Sequence, residues 1–93
     1  MADHDPMEAI EYELEEGRAF ALGQAGKRLE AALAAFGAER REDLLVDAAD
    51  AAWCYMIMRE IAGFHDHDFA FAVYRVPREV RARIGVMRVT SAS

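Results

Sequence analysis

Apolar residues recur at helical spacing along most of this chain. Met7, Ile10 and Leu14 succeed one another at three- and four-residue steps. Leu22, Ala25, Leu29, Leu33 and Phe36 resume the pattern after a slip of about one residue, which predicts one helix over 5–36 with a sticky line along one side. Asp5 is placed to cap it, Pro6 suits its first position, and Glu8, Glu11 and Glu13 complement the positive end of its dipole. Gly37 is the expected C-terminal cap, and 38–41 turn the chain. A second helix is expected from Glu42 to Ala62, closed by Gly63. Beyond it, Asp66 or Asp68 can cap a short helix over Phe69 to Tyr74, and Val76-Pro77 breaks that helix. Pro77 then opens another through Ile84, ended by Gly85. The alternation over 69–74 also fits a strand, but a lone strand has no neighbour to pair with, so helix is the reading. The layout is a flexible N-terminus over 1–5, a single helical domain over 6–85 and a flexible tail over 86–93.

Size makes the first helix a problem. About thirty residues at roughly 1.5 Å each span about 46 Å. A compact chain of 93 residues has a diameter of only about 32 Å. Such a helix overhangs any globule that one copy can form. The second helix raises the same difficulty, because Ala51 to Met58 carries no charge on any face. A helix apolar all round is normally covered on all sides, and so short a chain lacks the material to do it. Both features predict an all-α homodimer in which long antiparallel helical hairpins, each with short C-terminal helices, pack into a four-helix bundle.

Three glycines interrupt the first helix, each costing about 1 kcal/mol against alanine. Gly17, Ala21 and Ala25 lie four apart and form a small-residue stripe on which another helix can rest; a bend near Gly17–Gly26 is the competing explanation. Candidate dimer-interface residues are therefore Gly17, Ala21, Ala25, Trp53, Met56 and Ile57. A hairpin turning near Ala38 sets Asp47 and Asp50 opposite Lys27 and Arg28, and Arg59 opposite Glu15, Glu16 and Arg18.

Charge is arranged in blocks. Residues 1–16 carry seven acidic groups and no Lys or Arg, whereas 75–88 carry five arginines against Glu79 alone. The two ends are candidates to meet, within or between subunits. The formal charge of −6 argues against broad nucleic-acid binding, although the C-terminal arginines keep a weak contact of that kind open. A single cysteine, Cys54, has no partner within the chain and lies in its most apolar part, where an inert buried thiol is expected. An acidic N-terminus and the absence of a long apolar run point to a cytoplasmic protein.

His65 and His67 are the best metal candidates, but no HExxH or CxxC motif accompanies them and no third ligand can be named. Asp47 and Asp50 share a helix face, and pairing with Lys27 and Arg28 explains them without acid–base chemistry. No cofactor and no catalytic residue is assigned. A non-catalytic interaction or scaffold protein is the expectation; a small-ligand or metal-binding protein using the bundle interior or the His65/His67 turn is the alternative.

Ala48-Ala49-Asp50-Ala51-Ala52-Trp53, Arg59-Glu60, and Tyr74-Arg75-Val76-Pro77-Arg78-Glu79-Val80 leading to Gly85 stand in an order that resembles a family of short uncharacterised bacterial helical proteins, a domain of unknown function. The resemblance spans roughly residues 8–85. It implies a stand-alone small helical protein and supplies no catalytic or binding residue.

Overall fold

The computed structural model describes the backbone of residues 6–92 and the side chains of residues 16–86. Four helices succeed one another: α1 (Pro6–Ala38), α2 (Glu42–Ile61), α3 (His67–Tyr74) and α4 (Arg78–Ala92). No strand occurs among the described residues. The cap proposed at Asp5 and the side chains of Met7, Ile10, Leu14 and Arg88 lie outside the described residues.

Local chemistry explains most boundaries. Pro6 is the first residue of α1, where its missing N–H costs nothing. Gly63, at φ 96°, closes α2 in a conformation that favours glycine. The Asp66 carboxylate accepts the Phe69 amide at 3.1 Å and caps α3, which begins two residues earlier than the apolar pattern marks. Arg75 ends α3 in the left-handed region at φ 55°. The Pro77 carbonyl accepts the amides of Val80 and Arg81 and so starts α4.

Two glycines that the sequence marks as helix stops do not stop helices. Gly37 lies inside the last turn of α1, and α4 runs through Gly85 to Ala92. Neither adopts positive φ, which a glycine stop requires. In a helical conformation, each costs only about 1 kcal/mol, which neighbouring good helix formers absorb.

The core is built around α2, which packs along α1 on one flank and against α4 on another. Leu29, Ala32 and Phe36 of α1 meet Ala48, Ala49, Ala51, Ala52, Tyr55 and Met56 of α2. Ala70 and Phe71 of α3 and Val80 and Ile84 of α4 complete it. Alanine at four α2 positions keeps the layer thin, so neighbouring backbones approach closely. Successively lower positions on α1 meet successively higher positions around α2. Arg28 reaches Asp47 and Asp50, Gly26 lies beside Tyr55, and Arg18 and Leu22 share a depression with Ala62 and Phe64.

α1 is continuous, and its crowded glycine is Gly26. A Cβ built there would stand 2.5 Å from the Tyr74 hydroxyl and 3.5 Å from Tyr55 Cε1. The absent side chain leaves room for the Tyr74 ring, which meets the Tyr55 ring edge-on with centroids 5.1 Å apart. The sequence points to close approach along Gly17, Ala21 and Ala25; in this chain it is made at Gly26 by a tyrosine of α3. A Cβ at Gly17 or Gly23 would meet nothing within 4 Å.

The molecule measures 60 × 31 × 22 Å with a radius of gyration of 16.5 Å. A compact chain of this length would have a radius of about 12 Å. The accessible surface is 6657 Å². Folded monomers of this mass expose about 5,400 Å². One copy thus leaves about 1,200 Å² more surface in water than its size warrants.

The contact between Gly26 and Tyr74 is open to test by substitution. Gly26→Ala should lower stability by about 1–2 kcal/mol through overpacking, whereas Gly23→Ala should raise it by about 0.5–1 kcal/mol through helix propensity. Urea midpoints measure both, and Tyr74→Phe should recover part of the Gly26→Ala loss. Burial first, then the hydrogen bond and charge of Tyr55 and the charge of Glu30, hold the Tyr74 phenol above its ordinary value of 10.0. A raised phenol favours the protonated native state. Its contribution is therefore complete below the ordinary value and lost as pH climbs through the raised one. An alkaline fall in melting temperature beginning near the ordinary tyrosine value should be reduced in Tyr74→Phe.

Candidate interaction face

The α1–α2 layer has two sides. α3 and α4 cover one: Tyr74 sits against Gly26 and Tyr55, and Val80 and Ile84 are buried. The other side is open. At 100° per residue, Val46, Asp50, Trp53, Ile57 and Ile61 fall within an arc of about 80° on α2, opposite Ala48 and Tyr55. Val46 is 40% exposed, Ile57 42% and Ile61 58%, while Trp53 and Asp50 are half-buried. The uncharged stretch of α2 is therefore not enclosed by its own chain. One face makes the core and the other, apolar apart from Asp50, meets water.

Arg28 marks where α1 borders this face. Its guanidinium donates to Asp50 at 2.8 Å, to Asp47 at 3.2 Å and to the Cys54 thiol at 3.7 Å. The Asp50 bond above all, with Asp47 and the neighbouring charges, raises the Arg28 pKa further and keeps it charged, despite a small opposing desolvation. This is the Asp47/Asp50 pairing expected from the register, made by Arg28. Gly17 and Ala21 lie within about 40° of Arg28 around α1, on the flank next to the open face. Gly17 is exposed, and Ala21 and Ala25 are half-buried.

Several residues sit elsewhere than the sequence suggests. Met56, a candidate for the interface, is 8% exposed and belongs to this chain's own core. Cys54 is exposed, because its helical position falls beside Asp50 and Arg28 and not among the alanines. Arg59 donates to the Asp66 carbonyl at 3.2 Å and lies over the Tyr55 and Phe64 rings. It ties the end of α2 to the start of α3. Of the neighbours expected for it, Glu15 lies outside the described side chains, and Arg59 forms these contacts and no ion pair with Glu16.

Within the described residues the basic C-terminal block pairs with other elements of its own chain, and the acidic residues before Glu16 expected to meet it lie outside the described side chains. Arg81 pairs with Asp68 at 2.7 Å, Arg83 with Glu42, and Glu79 with Arg40. The Glu79 carboxyl is held below its usual value, first by a backbone amide and then by Arg40. Sequence spacing alone could not pair Arg83 with Glu42, since that contact depends on where α4 crosses α2.

His65 is exposed, and His67 Nε2 lies 2.8 Å from Glu60 Oε1, bridging α2 to α3. Among the described residues no group of three or more His, Cys, Asp or Glu converges as a metal-binding set. An open depression of about 340 Å³, lined by Arg18, Ala19, Leu22, Ala62 and Phe64, lies where α1 passes the end of α2. Among the described residues no helix is long and apolar enough to cross a membrane.

The Arg28 cluster is exposed, so its ion pairs should contribute little. For the single copy, a double-mutant cycle of Arg28→Ala and Asp50→Ala, read by urea denaturation at protein concentrations too low for association, should return a coupling of about 0.2–1 kcal/mol. A value above about 2 kcal/mol would mean that the pair is shielded from water.

No curated protein and no solved structure matches the chain. Residues 3–92 match a family of unknown function, DUF6665. That match takes in α1 to α4 and extends the stretch of likeness at both ends, from just before α1 to the last residue of α4. The chain belongs to this family.

Proposed function

We propose that this protein is a non-catalytic homo-oligomeric interaction or scaffold module, in which the α1–α2 units of two copies, each an antiparallel hairpin, pack into a four-helix bundle. The observation that carries the reading is the open face of α2, where Val46, Ile57 and Ile61 are two-fifths or more exposed beside Trp53. Scattered exposed apolar residues are ordinary, but a line of them opposite the core face of one helix is not. A second copy also resolves the length of α1, whose overhang has no counterpart in its own chain. The role of such a module is to present the ends and outer faces of the bundle to other molecules, with Phe69 and Val73 of α3 among the apolar groups left outside.

Light scattering at micromolar concentration should give twice the 10.4 kDa chain mass. A single-copy mass would remove the reading. Ile57→Glu places a carboxylate on the face and should weaken association at least about tenfold, since burying an unpaired charge costs on the order of 2 kcal/mol or more. Helicity should stay unchanged, because Ile57 is outside the core. Ala21→Leu should also weaken association by crowding the α1 flank. Thiol-reagent labelling of Cys54 should slow as protein concentration rises into the dimer range.

A further inference from the structure

The seam between α1 and α2 continues past the buried core. At 100° per residue, Arg18, Leu22 and Leu29 fall within an arc of about 40° on α1, and Ala48, Tyr55 and Ala62 within an arc of about 40° on α2. Leu29, Ala48 and Tyr55 are buried, and Leu22 and Ala62 carry the same two lines toward the end of α2. There the seam is unfilled. Arg18, Ala19, Leu22, Ala62 and Phe64 line the depression of about 340 Å³, a volume at the low end of small-molecule sites. Ala62 shares the core side of α2, so the depression is turned away from the stripe of Val46, Trp53, Ile57 and Ile61.

The chemistry of its walls is narrow. Ala19, Leu22, Ala62 and Phe64 have side chains that neither donate nor accept a hydrogen bond. The last carbonyls of α2 are already engaged: those of Met58, Glu60 and Arg59 accept the amides of Ala62, Gly63 and Phe64 at 3.1, 3.0 and 2.8 Å. The Phe64 wall is held by that last bond and by the Arg59 guanidinium, 5.3 Å from its ring centroid. Arg18 supplies the charge of the lining, and among the described residues it forms no ion pair. A guanidinium presents parallel N–H donors that match one carboxylate. A lining with no second cation leaves a dianion half compensated, and one with no other polar side chain costs a hydroxyl-rich ligand its hydrogen bonds to water.

We propose that this depression binds a small carboxylate with a short apolar tail. Arg18 holds the carboxylate, and Leu22, Ala62 and Phe64 cover the tail. The site does not depend on a second copy, because it lies on the other side of α2 from the open face.

Octanoate is titrated into the full chain and followed by amide chemical shifts, with octanol as its uncharged counterpart. Saturable shifts should centre on Ala19, Leu22, Ala62 and Phe64, with a dissociation constant on the order of 0.1–1 mM for so small a ligand. Octanol should bind at least about tenfold more weakly. Arg18→Gln should weaken octanoate about tenfold and leave octanol unchanged, whereas Ala62→Leu fills the depression and should abolish binding of both. Both residues are exposed, so helicity should persist, as circular dichroism will show. The proposal is overturned by the absence of saturable shifts up to about 10 mM. It is equally overturned by octanol matching octanoate, by shifts centred on Trp53, or by full affinity in Arg18→Gln. None of these outcomes bears on the homodimer, which light scattering measures separately.

Discussion

One helix with two apolar faces constrains everything else in this protein. α2 turns Ala48, Ala52, Tyr55 and Met56 toward its own chain and leaves Val46, Trp53, Ile57 and Ile61 on the far side. Burial is favourable in proportion to apolar area removed from water, so a helix of this kind is not satisfied by one layer of neighbours. In a chain of 93 residues there is no second layer to supply. The elongated shape, the thin alanine core and the surplus surface are consequences of that shortage.

Around this constraint the charged residues set position and add little energy. Arg28 holds α1 to α2 through Asp47 and Asp50, Arg83 and Glu42 tie α4 to the start of α2, and Arg81 and Asp68 link α4 to α3. Apart from the half-buried Arg83, these side chains are open to solvent, and pairs of that sort contribute tenths of a kcal/mol each. What they select is register, since sliding one helix by a turn would strand several of them together. The core alone discriminates less well, because alanine faces look much alike from one turn to the next.

The helical pattern and its caps were legible because they depend on neighbours in sequence. Pro6 at the head of α1, Gly63 after α2 and Asp66 before α3 each act within a turn or two. Arg28 facing Asp47 and Asp50 was legible as well, since a short turn between two regular helices leaves little freedom in register. Other features were not. Gly37 and Gly85 look like stops on composition, but whether a glycine takes positive φ depends on where the chain must turn next in space. Gly26 could not be told from Gly23, because its role comes from a tyrosine 48 residues away on α3. Cys54 looks buried from its apolar neighbours, yet one helical step separates a core position from the rim. The open face was half legible: the uncharged run showed that α2 needed cover, and only packing shows which side lacks it.

α3 is eight residues long, and few contacts join it to the other helices. Its start depends on one carboxylate cap and its end on Arg75 in a left-handed turn that suits glycine better than arginine. A helix of two turns has almost no stability of its own. This segment is helical because Ala70 and Phe71 are seated in the core and Tyr74 lies against Gly26, so its order is borrowed from the packing and not from its own propensity.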